Sequence, residues 1–149
     1  MNLEKALTIF ETLKKIDKNF LLAGSARRGK LEDLHDVDIV YVGEKIPNIP
    51  GVAAFVSGKD IVRLTLMEES VDIYRTDPES LGAMMMFLTG PQEFNIRTRG
   101  MAKRKGMVLN QKGIYDRETR SLIASETEED MFNALGLPYT EPEFRGKKK

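Results

Sequence analysis

The sequence holds no cysteine and a single histidine, His35. Disulfides and thiolate-bound zinc are excluded, and one imidazole cannot by itself build a histidine-based metal centre. A metal here would have to rest on carboxylates, which suit magnesium or manganese. No apolar run approaches the ~20 residues that a bilayer span requires. The opening stretch MNLEKALTIF carries Glu4 and lacks the layout of a signal peptide. These absences lead us to expect a cytoplasmic protein (nucleoid-associated, or in the host cytoplasm if viral) with no membrane partner. Net charge is missing too, since Lys plus Arg and Asp plus Glu number 23 each. Overall charge therefore points to no polyanionic partner.

The 149 residues suffice for one domain or two small subdomains, and 41% hydrophobic residues can bury a core. Charge is unevenly spread. Between Glu93 and Arg120 eight basic residues stand against three acidic ones, followed by the acidic run ETEED and a terminal KKK. A polyanion senses charge within a Debye length of ~8 Å, so a local basic face is compatible with zero net charge. On charge alone, a solvated helix face accounts for this segment equally well.

Leu3, Leu7, Phe10, Leu13 and Ile16 recur at three- and four-residue steps, which predicts an amphipathic helix. Phe20 to Ala23 reads as a short buried strand ended by Gly24-Ser25. Val37 to Val42 is a second strand, stopped by Gly43 and the Pro47/Pro50 loop. Val52 to Val56, Ile61 to Met67 and Val71 to Tyr74 read as further strands, the last ended by Asp77-Pro78. The period then changes. Pro78 opens a Met-rich helix, Thr89-Gly90-Pro91 breaks it, and a basic helix runs on to Gly106. Met107 to Tyr115 reads as a small hairpin with a second short strand pair after it. Thr127 caps a last helix that ends near Gly136.

Strand side chains alternate, so Asp36 and Asp38 share one face while Val37 and Ile39 take the other. Two carboxylates on one strand face repel each other and lose hydration, and a cation between them removes both penalties. Alone the triplet is weak, because an edge strand with a solvated acidic face produces it as well. Three further features add weight. Asp72, flanked by Val71 and Ile73, repeats the pattern and can lie beside the first pair. Gly24-Ser25 leads from a buried strand into a helix start, where backbone N–H groups and a hydroxyl can hold an anion. Arg27 and Arg28 follow with bidentate phosphate donors. The set reads as a three-carboxylate metal site beside a phosphate cradle, the parts needed for two-metal phosphoryl or nucleotidyl transfer.

GSARRGKLEDLHDVD, then VDIY, FLTGPQEFNIRTRGMAKRKGMVLNQKGIY and TEEDMFNALGLPYTEPEFR resemble the DNA polymerase X family, the group that contains DNA polymerase beta. The likeness runs from Phe20 to Arg145. The Gly-Ser and DxD elements occur across the wider nucleotidyltransferase superfamily. The Thr-Gly-x-x-x-Phe-Asn stretch with its basic helix is specific to the polymerases.

The resemblance implies an α+β fold: a nucleotidyltransferase palm (a mixed sheet with packed helices) over 1–77 and a small C-terminal helical and hairpin subdomain that binds nucleotide and template over 78–146. A basic tail at 147–149 would follow. It implies that Asp36 and Asp38 bridge two Mg2+ ions, with Mn2+ as a substitute, and that Asp72 binds the catalytic ion near the primer 3′-hydroxyl. Gly24, Ser25 and Arg28 would hold the triphosphate of the incoming nucleotide. Phe87 to Gly90 would wall its sugar, Asn95 would reach its base, Arg99 would contact the template strand, and Lys103 and Lys105 would add DNA contacts.

Longer members of the family carry an N-terminal lyase domain and DNA-gripping hairpins. With only about twenty residues ahead of the phosphate turn, neither is expected here, nor lyase activity or recognition of a gap's 5′-phosphate. Phe87-Leu88 stands where the family often has an aromatic pair, which leaves ribose discrimination open. His35 is expected to be exposed, Met84, Met85 and Met86 to be packing residues, and Arg117 and Arg120 to lie on a solvated surface. Tyr139 and Arg145 are expected to pin the C-terminus to its domain.

The expected function is a distributive, metal-dependent DNA polymerase that adds deoxynucleotides to a primer 3′-hydroxyl in gap filling or DNA repair, acting as a monomer on primer-template or gapped DNA. Two alternatives stay open: a nucleotidyltransferase that is template-independent or takes a small-molecule acceptor, and a catalytically silent DNA-end-binding accessory protein.

Overall fold

The computed structural model describes residues 1–146, so the basic tail at 147–149 lies outside the described residues. The chain divides into two compact units, Met1–Asp77 and Pro78 onward.

The first unit opens with helix α1 (Leu3–Ile16). The Asn2 side chain caps it by accepting from the Lys5 amide, which satisfies one of the open N–H groups of the first turn. Its buried stripe is Ala6, Ile9 and Leu13, with Leu3 and Phe10 packed alongside. Leu7 and Ile16, expected in that stripe, sit on its two margins and are exposed. Ala6 and Ile9 bring the face round because apolar spacing alone leaves the centre of a stripe uncertain by about one residue.

Five strands follow: β1 (Phe20–Leu22), β2 (Asp36–Val42), β3 (Ala54–Ser57), β4 (Ile61–Leu66) and β5 (Glu69–Thr76). They lie side by side in the order β1-β2-β5-β4-β3. β2 and β5 run parallel and every other pairing is antiparallel, so the sheet is mixed. Parallel neighbours need a long crossover, and here β3, β4 and the loop before them supply it. Alternation then sorts the faces. Val37, Ile39, Tyr41, Val71 and Ile73 point into a core closed by α1, Phe20 and Leu64. Asp36, Asp38 and Asp72 lie on the opposite face of β2 and β5, with buried Val40 and half-buried Tyr74 two residues beyond Asp38 and Asp72 along it.

β4 and β5 turn through Met67 and Glu68, both at positive φ (53° and 67°). A two-residue hairpin of this hand is the mirror-image turn that matches strand twist and is normally built from Asn and Gly. This one lacks both, so the sequence shows no turn there and the strand reads through to Met67.

In the second unit a short 3-10 turn (Pro78–Ser80) leads into α3 (Leu81–Thr89), and α4 (Gln92–Arg104) follows the cis Gly90-Pro91 peptide. One turn of helix in the first unit, Gly24–Arg27, is α2. β6 (Met107–Asn110), β7 (Gly113–Asp116) and β8 (Leu122–Ala124) make a three-stranded antiparallel sheet. The hairpin therefore continues into one further strand rather than a second pair. Thr127 caps α5 (Glu128–Leu135) by accepting from the Asp130 amide, and Gly136 ends it in the left-handed conformation. Phe94, Ala102, Ile114, Met131 and Phe132 form the core of this unit, with Met86 among them. Arg145 is buried against α5: it donates to Glu128 at 2.6 Å and to the Thr140 carbonyl at 2.9 Å, with its guanidinium over Phe132 and Tyr139. The C-terminal segment is pinned there. The molecule is α+β, and among the described residues no helix is long and apolar enough to cross a membrane.

Candidate active site

β2 and β5 pair in a register that sets Asp38 directly opposite Asp72, with Asp36 opposite Ser70. Neighbouring strands lie about 4.8 Å apart, so the two carboxylates share one patch of sheet. Burial pushes Asp38 up to about 6, with Asp72 and then Asp36 adding repulsion and Arg28 opposing them. Asp72 is raised as well, first by burial and then by Asp36, while Arg63 opposes the shift. Asp36, at the open end of β2, is exposed. Mutual repulsion among half-buried acids is what a bound cation would relieve, and an all-carboxylate donor set suits a hard divalent ion. Among the described residues no group of three or more Asp, Glu, His or Cys is already gathered as a metal cage. The Asp72 carboxylate is instead met by Arg63 Nε at 3.5 Å.

α2 comes off the end of β1 and returns to this patch. The Ala23 amide donates to the Asp38 carbonyl at 2.9 Å, tying the turn to β2. Gly24 has φ +67°, and a side chain there would collide with the Asp38 carboxylate and approach its Cβ to 2.9 Å. Only glycine meets both conditions. Ser25 follows in the same turn, and Arg28 at its end acts on Asp38 electrostatically. The structure thus sets Asp36, Asp38 and Asp72 on one face of the sheet, with Gly24 and Arg28 against Asp38 and Ser25 in the same turn. His35 is exposed just before β2.

Two neighbours of the acids escape the sequence reading. Arg63 stands opposite Asp72 in the antiparallel β4-β5 pair, and Tyr74 lies two residues beyond Asp72 against the same guanidinium. Burial raises the Tyr74 hydroxyl, with Asp72 and Asp38 contributing in the same direction. The only available signal was strand alternation from Asp72 to Tyr74. Arg63 depends on a cross-strand register that its own sequence does not reveal.

In the second unit Phe87, Asn95 and Arg99 line one hollow of about 20 Å³, together with Thr98, Leu109 and Asn110. Asn95 donates to the Phe87 carbonyl at 2.8 Å, which holds the end of α3 against the first turn of α4. Gly90 ends α3 at φ +61°. Arg99 and Lys103, one turn apart on α4, line an open cleft with Arg117. Lys105 is not among its walls. Its ammonium donates to the Leu135 carbonyl at 2.7 Å and braces α4 against the end of α5.

The first unit is a mixed sheet with Asp38 and Asp72 in register and a glycine turn closing on Asp38. Residues 84–146 of the second unit match the family description DNA polymerase beta thumb. Over 91% of its length the chain is 29% identical to the "Repair DNA polymerase X" of African swine fever virus, covering 86% of that protein. It is also 29% identical to the "DNA polymerase/3'-5' exonuclease PolX" of Bacillus subtilis, over 85% of this chain and 24% of that protein. Human "DNA-directed DNA/RNA polymerase mu" is 30% identical over 68% of the chain, which spans 20% of that protein. The chain is thus similar to X-family DNA polymerases over most of its length, and its second unit to the thumb of DNA polymerase beta.

Proposed function

We propose that this chain is a metal-dependent DNA polymerase of minimal type, adding deoxynucleotides to a primer 3′-hydroxyl in repair or gap filling. The observation that carries the reading is the direct register of Asp38 with Asp72, with Asp36 on the same face and Gly24 closing on Asp38. Asp36, Asp38 and Asp72 would hold two divalent ions, Mg2+ or in its place Mn2+. Such ions, when bound, lower the pKa of an attacking hydroxyl and offset charge on the transferred phosphate.

The rest falls to the chain's own side chains. The 3′-oxygen attacks the α-phosphorus of the nucleotide and pyrophosphate leaves, with Asp72 next to the hydroxyl. The Gly24-Ser25 amides, the Ser25 hydroxyl and the Arg28 guanidinium hold the triphosphate in line, since this transfer needs positioning and charge neutralisation more than a strong base. In the second unit, Phe87 and Gly90 wall the sugar and Asn95 reaches the base. Arg99 and Lys103 meet DNA phosphates, while Lys105, engaged with Leu135, serves the fold of its own unit. The palm and the nucleotide-binding unit divide at Asp77-Pro78.

Extension of a labelled primer with each single nucleotide, with and without template, in Mg2+ or Mn2+, tests this reading. The expected result is metal-dependent addition of the complementary nucleotide on templated primer. Equal addition without template would favour a template-independent transferase, and no addition under any condition would favour a silent end-binding protein.

A further inference from the structure

Arg117 and Arg120 sit on the turn between β7 and β8, and sequence alone leaves them on a solvated surface. The structure places Arg117 in the wall of the same cleft as Arg99 and Lys103, a space of about 300 Å³. A second hollow of about 610 Å³ adjoins it, sharing Val108 and Arg117 and reaching on to Arg120. Four cations thus follow one another along a continuous recess that starts on α4 and ends on the turn. Among the described residues none of the four is salt-bridged to a carboxylate. The one acid in the recess, Asp116, accepts from the Glu118 and Thr119 amides of its own turn, and those bonds lower its pKa.

Backbone hydrogen bonds hold the turn. The Arg117 amide donates to the Gly106 carbonyl at the end of α4, the Arg120 amide to the Asp116 carbonyl, and the Asp116 amide to the Ser121 carbonyl. Within it Arg120 takes a φ of +64°, a left-handed conformation in which glycine would be unstrained and arginine is not. A strained, exposed arginine with no ion pair among the described residues is the kind of outlier from which a functional role can be inferred.

We propose that Arg117 and Arg120 extend the phosphate-binding face of α4, so that the backbone of a single DNA strand runs from Arg99 and Lys103 past Val108 to the β7-β8 turn. This rests on the polymerase reading, which supplies the strand at Arg99. Unpaired guanidinium groups in an open recess fit phosphate oxygens, and each phosphate neutralised releases counterions that make binding salt-dependent.

DNA binding by the full chain is measured by anisotropy of a labelled primer-template across a salt series, for wild type and for Lys103→Gln, Arg120→Gly and Arg117→Gln/Arg120→Gly. The double variant is expected to flatten the slope of log affinity against log salt by about 1.5, roughly two phosphates' worth. Arg120→Gly alone is expected to flatten it by about half that while melting at the same or a higher temperature, because glycine relieves the turn. A purely structural arginine would show the reverse, lower melting and an unchanged slope. If Lys103→Gln flattens the slope and the turn variants do not, the strand leaves the face before the turn and the proposal is wrong. If none of the variants changes it, the DNA-binding reading of the whole unit fails, and the proposal with it.

Discussion

Asp38 keeps its proton to higher pH than a free carboxylate does, because ionising it puts a half-buried charge beside Asp72 and Asp36. In metal-free protein this costs stability in a defined window. Below about pH 4 folded and unfolded chains are both protonated at this site. Between there and about 6 the unfolded chain has released its proton and the native one has not, so stability falls as pH rises and stays lower above. Asp38→Asn in a chelating buffer is therefore expected to stabilise by about 1–2 kcal/mol at neutral pH and by little near pH 4. Thermal melts at the two pH values check this, and an equal gain at both would show that the Asp38 charge is not under strain. Gly24 belongs to the same cluster. Gly24→Ala combines a left-handed φ with a collision on Asp38, for an expected loss of about 2–3 kcal/mol. If the collision matters, Asp38→Ala should return part of that loss, so the two substitutions will be non-additive in denaturant titrations. Strict additivity would leave only the backbone term. How these acids fall on one strand face was legible from alternation in DVD and VDI. The register that matches Asp38 with Asp72 was not, since it depends on where β5 enters the sheet after a crossover through two further strands.

At the scale of elements, α5 and the β4-β5 hairpin show the two extremes of what local chemistry reveals. Both ends of α5 are readable: Thr127 accepts from the Asp130 amide, and Gly136 takes the left-handed cap. The hairpin carries no such mark. Met67 and Glu68 occupy two left-handed positions without the residues that favour them, so β4 and β5 impose the turn through their pairing. Replacing the pair with Asn-Gly is expected to stabilise the chain by about 1 kcal/mol, a rise of a few degrees in melting temperature. An unchanged or lower melting temperature would mean that the Met67 and Glu68 side chains supply compensating contacts. The basic face follows the same logic. Arg99 and Lys103 share a side of α4 by helical spacing, which sequence shows. Arg117 joins them only because β6 and β7 fold the turn back to Gly106. Lys105 is drawn off by Leu135, a contact about thirty residues away in the chain.

For the whole molecule, composition and motif order are enough to read an α+β chain with a strand-rich first part and a helical second part. Two units divide at Asp77 and Pro78, each with its own core. The first carries the acids and the glycine turn that closes on Asp38; the second carries the thumb match, the hollow beside Phe87 and the basic recess. The proposed chemistry depends on the acids. Single-turnover addition of the complementary nucleotide to a templated primer, compared for wild type and Asp72→Asn in saturating Mg2+, tests it most directly. We expect Asp72→Asn to lose more than about a hundredfold in rate, the scale of a lost metal ligand, with melting temperature unchanged or raised by the relief of repulsion. A variant that folds and still adds nucleotide at more than about a hundredth of the wild-type rate would contradict a metal-dependent role for this site.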